Sequence, residues 1–307
     1  MNARFQLPID DPRYPAHLRF TPEPPKVLYG IGDPSCLVPG IAVIGARNAT
    51  PYGLSAAALF AGWAADAGYL VISGGAVGCD QAAHFAARDA GATTVAVLGC
   101  GADVDYPSNA VSLLADIRRT GVVVSELPWG APPQRWAFRR RNRIIAGLSA
   151  GVLVVEASLP SGTFSTADYA LDAGREVLAV PGSVFAPECA GSNRLIRQGA
   201  TPVTDASEFA LELERLLGRP RSEVTTEHPS PLVEGGSDIA SALIANPMRP
   251  DDIARAFGLD IVAVARRLGV LESQGRIARY PDGRYGVAKV TSSDGARKRT
   301  IREDSDG

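Results

Sequence analysis

Cysteine, histidine and methionine are scarce in this chain, and neither sign of charge is in excess. Four cysteines (Cys36, Cys79, Cys100 and Cys189) are scattered through 307 residues with no CxxC pair. That argues against a zinc site or a disulfide scaffold and fits a reducing cytoplasm. The three histidines (His17, His84 and His228) lie far apart, so no histidine-based metal site is expected. Thirty-one Lys and Arg against 33 Asp and Glu leave a net charge of −2. A protein that coats nucleic acid by bulk positive charge is thereby excluded, but a local basic groove is not. No apolar run reaches the ~18–20 residues of a membrane span. The first ten residues hold no signal-peptide apolar segment. The 32 Gly and 23 Pro follow no collagen-like period and form no low-complexity tract, which removes fibres and wholesale disorder. What remains is 46% hydrophobic, enough for a buried core, and at ~150 residues per domain the length fits about two domains.

Residues 1–40 carry eight of the prolines, among them Tyr14-Pro15, Pro24-Pro25 and Asp33-Pro34. Proline fixes φ and extends its predecessor, so an irregular arm is expected, packed on a domain through Leu18, Val27, Leu28 and Tyr29. From residue 41 short β-branched runs alternate with helical stretches: 41–44, 70–72, 94–98, 122–124, 152–155, 177–180 and, more weakly, 200–203. Near-continuous apolar strands are covered on both faces, which means a parallel sheet. Thr50 with Pro51 opens one helix, and Asp205 with Glu208 resembles a capping box for another ending near Leu217. Residues 41–217 thus read as a doubly wound α/β domain. Residues 218–236 read as a linker. Helical patterns at 238–245, 250–257 and 261–274, then a hairpin signal at Asp282-Gly283, make 237–290 a winged helix. Residues 291–307 are polar and are expected to be disordered.

In open parallel sheets ligands bind beyond the carboxyl ends of the strands. The loops there are rich in glycine: Gly45-Ala46-Arg47 after the first run, Ser73-Gly74-Gly75-Ala76-Val77-Gly78 after the second, Gly99-Cys100-Gly101 after the third and Ser161-Gly162-Thr163 after the fifth. Tight βα turns need glycine in any case, but several such loops on one rim could also hold a row of phosphates at helix N-termini. None reads GxGxxG or GxxxxGK[ST], so the dinucleotide and nucleoside-triphosphate signals are absent. The most informative segment is Gln134-Arg135-Trp136-Ala137-Phe138-Arg139-Arg140-Arg141-Asn142-Arg143. Guanidinium forks pair with phosphates, and aromatics stack on unpaired bases; a solvated, salt-bridged helix start is the competing account. Either Phe138 or Trp136 could be the stacking ring. Asp80, His84, Glu126, Glu156 and Asp168 are the ionisable groups near the rim, but they form no nucleophile–base–orienter set. The carboxylates read as caps or arginine partners, His84 as a packed side chain and Cys79 as a core thiol. No metal, cofactor or catalytic residue is assigned. In the winged helix Arg266, Arg267 and Gln274 are the candidates for duplex contact, with protein contact the alternative.

These residues resemble the DNA-processing protein A (DprA/Smf) family. The likeness rests on Ile44-Gly45-Ala46-Arg47 with Tyr52-Gly53, Ser73-Gly74-Gly75-Ala76-x-Gly78-x-Asp80-x-x-Ala83-His84 and Tyr106-Pro107. Ser125-Glu126, Arg141-Asn142-Arg143-Ile144-Ile145-Ala146-Gly147-Leu148-Ser149, Glu156-Ala157, Ser161-Gly162-Thr163-x-x-Thr166-Ala167 and Val180-Pro181-Gly182 follow in order, and Gly191-x-Asn193-x-Leu195-Ile196 completes the set. It covers about Tyr14 to Ala200. The resemblance implies an extended Rossmann-like domain with a small winged helix. It implies a cytoplasmic homodimer that binds single-stranded DNA, protects it during natural transformation and recombination, and loads the recombinase RecA without catalysis. Arg47 matches the family's strand-binding arginine, Phe138 its base-stacking aromatic, and Arg135 a basic partner. The expected strand-binding set is Gly45, Arg47, Ser73, Gly74, Gly75, Gly78, Arg135, Phe138, Arg139, Arg140, Arg141, Asn142, Arg143, Ser161, Gly162 and Thr163. Two features depart from the pattern: Arg139 stands where Pro is usual, and few residues precede Tyr14 where many members carry a helical domain. The alternatives are a nucleotide phosphoribohydrolase-like enzyme and a winged-helix transcription regulator. The first wants a PGGxGTxxE motif, against Pro160-Ser161-Gly162-Thr163 through Asp168 here.

Overall fold

The computed structural model describes residues 3–218 and 239–287, and the chain divides into two compact units, residues 1–230 and 231–307. In the first unit the elements run β1 (Arg4–Pro8), α1 (Ala16–Arg19), β2 (Val27–Gly32), β3 (Gly40–Ile44), α2 (Pro51–Asp66), β4 (Val71–Ser73), α3 (Cys79–Asp89), β5 (Thr94–Val97) and α4 (Val111–Thr120). They continue with β6 (Val122–Ser125), α5 (Arg135–Leu148), β7 (Ser149–Val154), α6 (Thr163–Asp172), β8 (Glu176–Ala179), α7 (Ala190–Arg197), β9 (Thr201–Pro202) and α8 (Ala206–Leu217). The sheet order is β1-β2-β6-β5-β4-β3-β7-β8-β9. The strands from β6 to β9 are parallel. The chain winds outward from β3 through β4 and β5 to β6. Helix α5 then carries it back across the sheet to β7 on the other side of β3. The order reverses between β3 and β7, and their carboxyl ends mark the switch point.

Strand side chains alternate between two cores. Ala42, Ile44, Ile72, Val95, Val97, Val152 and Val154 face Ile144, Ile145 and Leu148 of α5 and Ala167 and Ala170 of α6. Ile41, Val43, Val71 and Leu153 face Ala57, Phe60, Ala61 and Ala64 of α2 and Phe209 and Leu213 of α8. The alanine-rich face of α2 lets it lie close on the sheet and on α3. Its start is fixed by Thr50, whose Oγ1 accepts from the Gly53 amide at 3.1 Å, with Pro51 in the first turn. At α8 Asp205 accepts from the Glu208 amide (2.9 Å), while the Glu208 carboxylate takes the Thr204 amide and hydroxyl instead of closing the reciprocal box.

The N-terminal arm is not irregular, as its prolines led us to expect. It contributes two strands: β2 pairs antiparallel with β6, and β1 with β2. Pro8 sits at the end of the outermost strand, where a missing amide donor costs no ladder bond. The arm is tied to α5 by the fully buried Leu18, which shares the core with Ile144 and Leu148, and by a 3.0 Å bond between His17 Nε2 and the Leu148 carbonyl.

The second unit packs α9 (Ile239–Ala245), α10 (Pro250–Phe257), α11 (Ile261–Ser273) and the hairpin β10 (Ile277–Arg279) and β11 (Tyr285–Val287). Its core is Leu243, Ile253, Val264, Leu268 and Ile277. This is a winged helix. The residues expected to form most of the linker (219–236) and the tail (291–307) lie outside the described residues. Among the described residues no helix is long and apolar enough to cross a membrane.

Two histidines make the fold acid-sensitive. Burial, with Arg175 nearby, lowers His17 to about 4. Burial, with Arg141 nearby, lowers His84 to about 3, and its Nδ1 is held by Thr94 Oγ1 at 2.8 Å. Each stays neutral in the fold but takes a proton at ~6.5 when unfolded. Their contribution is therefore complete above pH ~6.5 and lost as pH falls toward 4 for His17 and toward 3 for His84. We expect the urea-unfolding free energy to decline over that range by up to roughly 1.4 kcal/mol per pH unit for each histidine. His84→Gln should remove one proton from that slope; an unchanged slope would assign the titration to other groups. Leu18→Ala should cost about 2–5 kcal/mol in the same measurement, whereas a negligible loss would mean that the arm is not part of the cooperative domain.

Candidate nucleic-acid interface

The loop after β3 carries Arg47 and is held from below by the loop after β4. The Cys79 amide donates to the Ala46 carbonyl at 3.2 Å. Gly78, at φ +95°, leaves no room for a side chain: a Cβ there would meet the Ala46 and Arg47 carbonyl oxygens. Gly78 therefore positions Arg47. On the far side the Thr50 amide and hydroxyl donate to the Glu156 carboxylate at 2.8 and 2.5 Å. Glu156 is fully buried against the positive end of α2. Burial raises its carboxyl above the usual range, and the Thr50 bonds pull it back.

Helix α5 divides its five arginines. Its buried stripe is Ala137, Arg141, Ile144, Ile145 and Leu148, the spacing of one helical face. Arg141, only 4% exposed, donates to the Gly74 carbonyl at 2.6 Å and to the Val97 carbonyl. Burial lowers it to about 10, with Asp80 opposing the shift. Arg143, 5% exposed, donates to Glu126 at 2.6 Å, and Arg140 approaches the same carboxylate at 3.3 Å. Both brace the helix against the sheet: the apolar face of α5 carries Arg141 inward, where it also lines the groove described below, and the Glu126 carboxylate holds Arg143. Ser73, also in the expected strand-binding set, is buried and donates to the Val43 carbonyl at 2.7 Å. Gly74 and Gly75 are buried too, and a Cβ on Gly74 would strike the Arg141 guanidinium.

Arg135 and Arg139 point outward. With Arg47, Phe138 and Asn142 they line one side of a groove of about 760 Å³ at the switch point. Gly45 and the Arg141 side chain lie in it as well, and Ser158–Thr166 with Asp168 and Glu188 form the other side. The Arg47 guanidinium lies 5.3 Å above the Phe138 ring. No ion pair is formed by Arg47, Arg135 or Arg139 among the described residues, and the first turn of α5 holds no acidic residue. Arg135 opens α5, and a cation at a helix N-terminus is unfavourable by roughly 0.3–1 kcal/mol, so an anion in the groove would relieve it. Across the groove, Ser161 Oγ and Thr163 Oγ1 are 3.0 Å apart at the start of α6, and Asn142 donates to Ser165 Oγ at 2.8 Å. Trp136 is 55% exposed but lines no part of the groove; of the two aromatics only Phe138 does. Sequence reasoning missed Tyr106, whose ring centroid is 5.4 Å from that of Phe138. A single tyrosine in an irregular loop carries no periodic signal.

The remaining ionisable candidates are placed as follows. Asp80 is buried and accepts from the Gly74 and Ala76 amides at 3.1 and 3.4 Å. Burial raises its carboxyl, with Arg141 opposing. Burial also pushes the Cys79 thiol up, away from reactivity. Asp168 is exposed at the groove edge. Among the described residues no three His, Cys, Asp or Glu side chains form a metal cluster. In the winged helix Arg266, Arg267 and Gln274 are exposed on or just beyond α11.

Comparison with known proteins agrees with this geometry. The family model described as DNA recombination-mediator protein A matches residues 6–214, and the DprA winged helix domain matches residues 225–283. The putative DNA processing protein DprA of Mycobacterium tuberculosis is 38% identical over 89% of this chain and 72% of its own. Protein Smf of Escherichia coli is 35% identical over 90% of this chain and 76% of its own. The X-ray structure of DprA from Streptococcus pneumoniae superposes with a TM-score of 0.66 at 36% identity, over 68% of this chain and 74% of that one. A Helicobacter pylori DNA processing protein A, solved for its single-stranded DNA binding mode, superposes with a TM-score of 0.63 at 29% identity, over 70% and 99%. An extended Rossmann-like sheet with this rim, followed by a winged helix, places the chain in the DprA/Smf family of DNA recombination mediators.

Proposed function

We propose that the groove binds single-stranded DNA without regard to sequence. The protein then acts as a homodimeric recombination mediator that shields the strand and loads RecA, in natural transformation or recombination, without catalysis. One observation carries the reading: Arg47, Arg135 and Arg139, each without an acidic partner among the described residues, surround the half-buried Phe138 at the switch-point groove. Phosphates would lie against these arginines and the Ser161–Thr163 turn, and a base would stack on Phe138. An unpaired base offers its face to such a ring, whereas a duplex hides it. The single-stranded DNA binding of the Helicobacter pylori relative supports the same reading.

Anisotropy of labelled oligonucleotides over a salt series tests it. We expect single strands to bind more tightly than duplex, with affinity falling as salt rises. Phe138→Ala should weaken binding by ~1–3 kcal/mol, and Arg47→Ala should abolish most of it, with both variants folded. Arg143→Ala should behave differently, lowering folding stability by about 1–3 kcal/mol because it removes the buried one of the two arginines that hold Glu126. Duplex binding equal to or stronger than single-strand binding, and indifferent to Arg47, would move the DNA site to the winged helix and overturn the groove.

A further inference from the structure

The wall of the groove that faces α5 carries a second aromatic under a second guanidinium, and the reading above gives this pair no role. Phe164, in the first turn of α6, is half-buried and lines the groove on the side opposite Phe138. The Arg194 guanidinium of α7 lies 5.9 Å from the centre of the Phe164 ring, much as Arg47 lies over Phe138. Arg194 is exposed and makes no ion pair among the described residues. The backbone sets it there. The Gly191 amide donates to the Ala157 carbonyl, beyond β7, at 2.7 Å. A Cβ on Gly191 would strike the Ala157 and Ser158 carbonyls, so glycine lets the start of α7 lie against the loop that edges the groove. Helix α7 buries Gly191, Ser192 and Leu195, which leaves Arg194 outward, beside Phe164.

The pair has the chemistry of a nucleotide contact. A guanidinium stacked on a ring keeps its N–H edges free for a phosphate, and an aromatic face accepts any base. Phe164 follows directly on the Ser161–Thr163 turn, so a phosphate against that turn brings its neighbouring base within reach of the ring. Asp168 and Glu188 stand on the same wall and disfavour phosphate beside themselves, which makes Arg194 the place for it. We propose that Phe164 and Arg194 form a second stacking site, so that one strand crosses the groove from α5 to α7, with one base on Phe138 and another on Phe164, instead of following α5 alone. The inference rests on the single-stranded DNA reading above and adds the path of the strand to it.

The test uses the full-length protein, labelled oligo(dT) and a salt series. Phe164→Leu, which keeps the apolar bulk but removes the aromatic face, should weaken binding roughly tenfold without changing its salt dependence, and Phe164→Tyr should bind as wild type. Arg194→Gln should weaken binding and lower the salt slope by about one, a change that mere support of the Phe164 ring would not cause. Its exposed position lets it decide the matter if Phe164→Leu does not fold. Photocrosslinking of an oligonucleotide bearing 5-iododeoxyuridine should label the peptide containing Phe164 as well as the one containing Phe138. If Phe138→Ala weakens binding while Phe164→Leu and Arg194→Gln bind as wild type, the strand keeps to α5: the second site is overturned and the groove stands. A loss in Arg194→Gln with an unchanged salt slope would overturn the phosphate contact and with it the path across α7. A wild type that binds no oligo(dT) would overturn the groove and the second site together.

Discussion

The rim of this sheet depends on one buried cation. The Arg141 guanidinium bridges the carbonyls of Gly74, beyond β4, and Val97, at the end of β5, and so fixes α5 to two parallel strands at their carboxyl ends. Removing a guanidinium from water is costly, and it is tolerated only where its hydrogen bonds are replaced and a counter-charge lies near. The carbonyls supply the first and Asp80 the second; Asp80 in turn holds the Gly74 and Ala76 amides. The glycines of that loop follow from the same constraint. With a Cβ at position 74 the guanidinium would lose its seat, and at position 78 a Cβ would separate this loop from the one that carries Arg47. Arg141 thus orders the rim from within while also lining the groove.

How much of this was legible in the sequence can be argued residue by residue. The parallel sheet was legible because strands covered on both faces are apolar throughout: Ile41 and Val43 serve one core, Ala42 and Ile44 the other. The cap at Thr50 and the hairpin at Asp282-Gly283 were legible because local chemistry decides them. The two strands of the arm were not, because eight prolines in 40 residues outweighed the short alternation of Phe5 and Leu7. An edge position removes the usual objection to proline, and edge position is a fact of topology.

The arginines of α5 show the same division between local and global information. By residue type Arg139, Arg140, Arg141 and Arg143 are interchangeable, and all four were assigned to the strand. The apolar stripe that runs from Ala137 through Ile144 and Ile145 to Leu148 carries Arg141 inward with it, and that much could have been read from helical periodicity. Arg143 could not. Its burial depends on Glu126, which waits at the end of β6, 17 residues earlier in the chain. Tyr106 was legible as part of the Tyr106-Pro107 motif but not as a neighbour of the site, since only the fold brings its loop against Phe138.

A net charge of −2 and a basic groove are compatible because the charges are sorted. Salt bridges neutralise arginines elsewhere: Arg118 meets Asp105, Arg143 meets Glu126, and Arg215 meets Glu176 and Glu212. Arg47, Arg135 and Arg139 have no such partner among the described residues, while Asp168 and Glu188 stand on the opposite wall. On the proposed reading, a polyanion entering the groove would be drawn toward the unpaired arginines. Because these charges are exposed, salt screens their steering, while the recessed Phe138 contributes contact that salt weakens far less. On the proposed reading, capture would be electrostatic and retention would require an unpaired base, with local charge supplying the first in a chain that carries a net charge of −2.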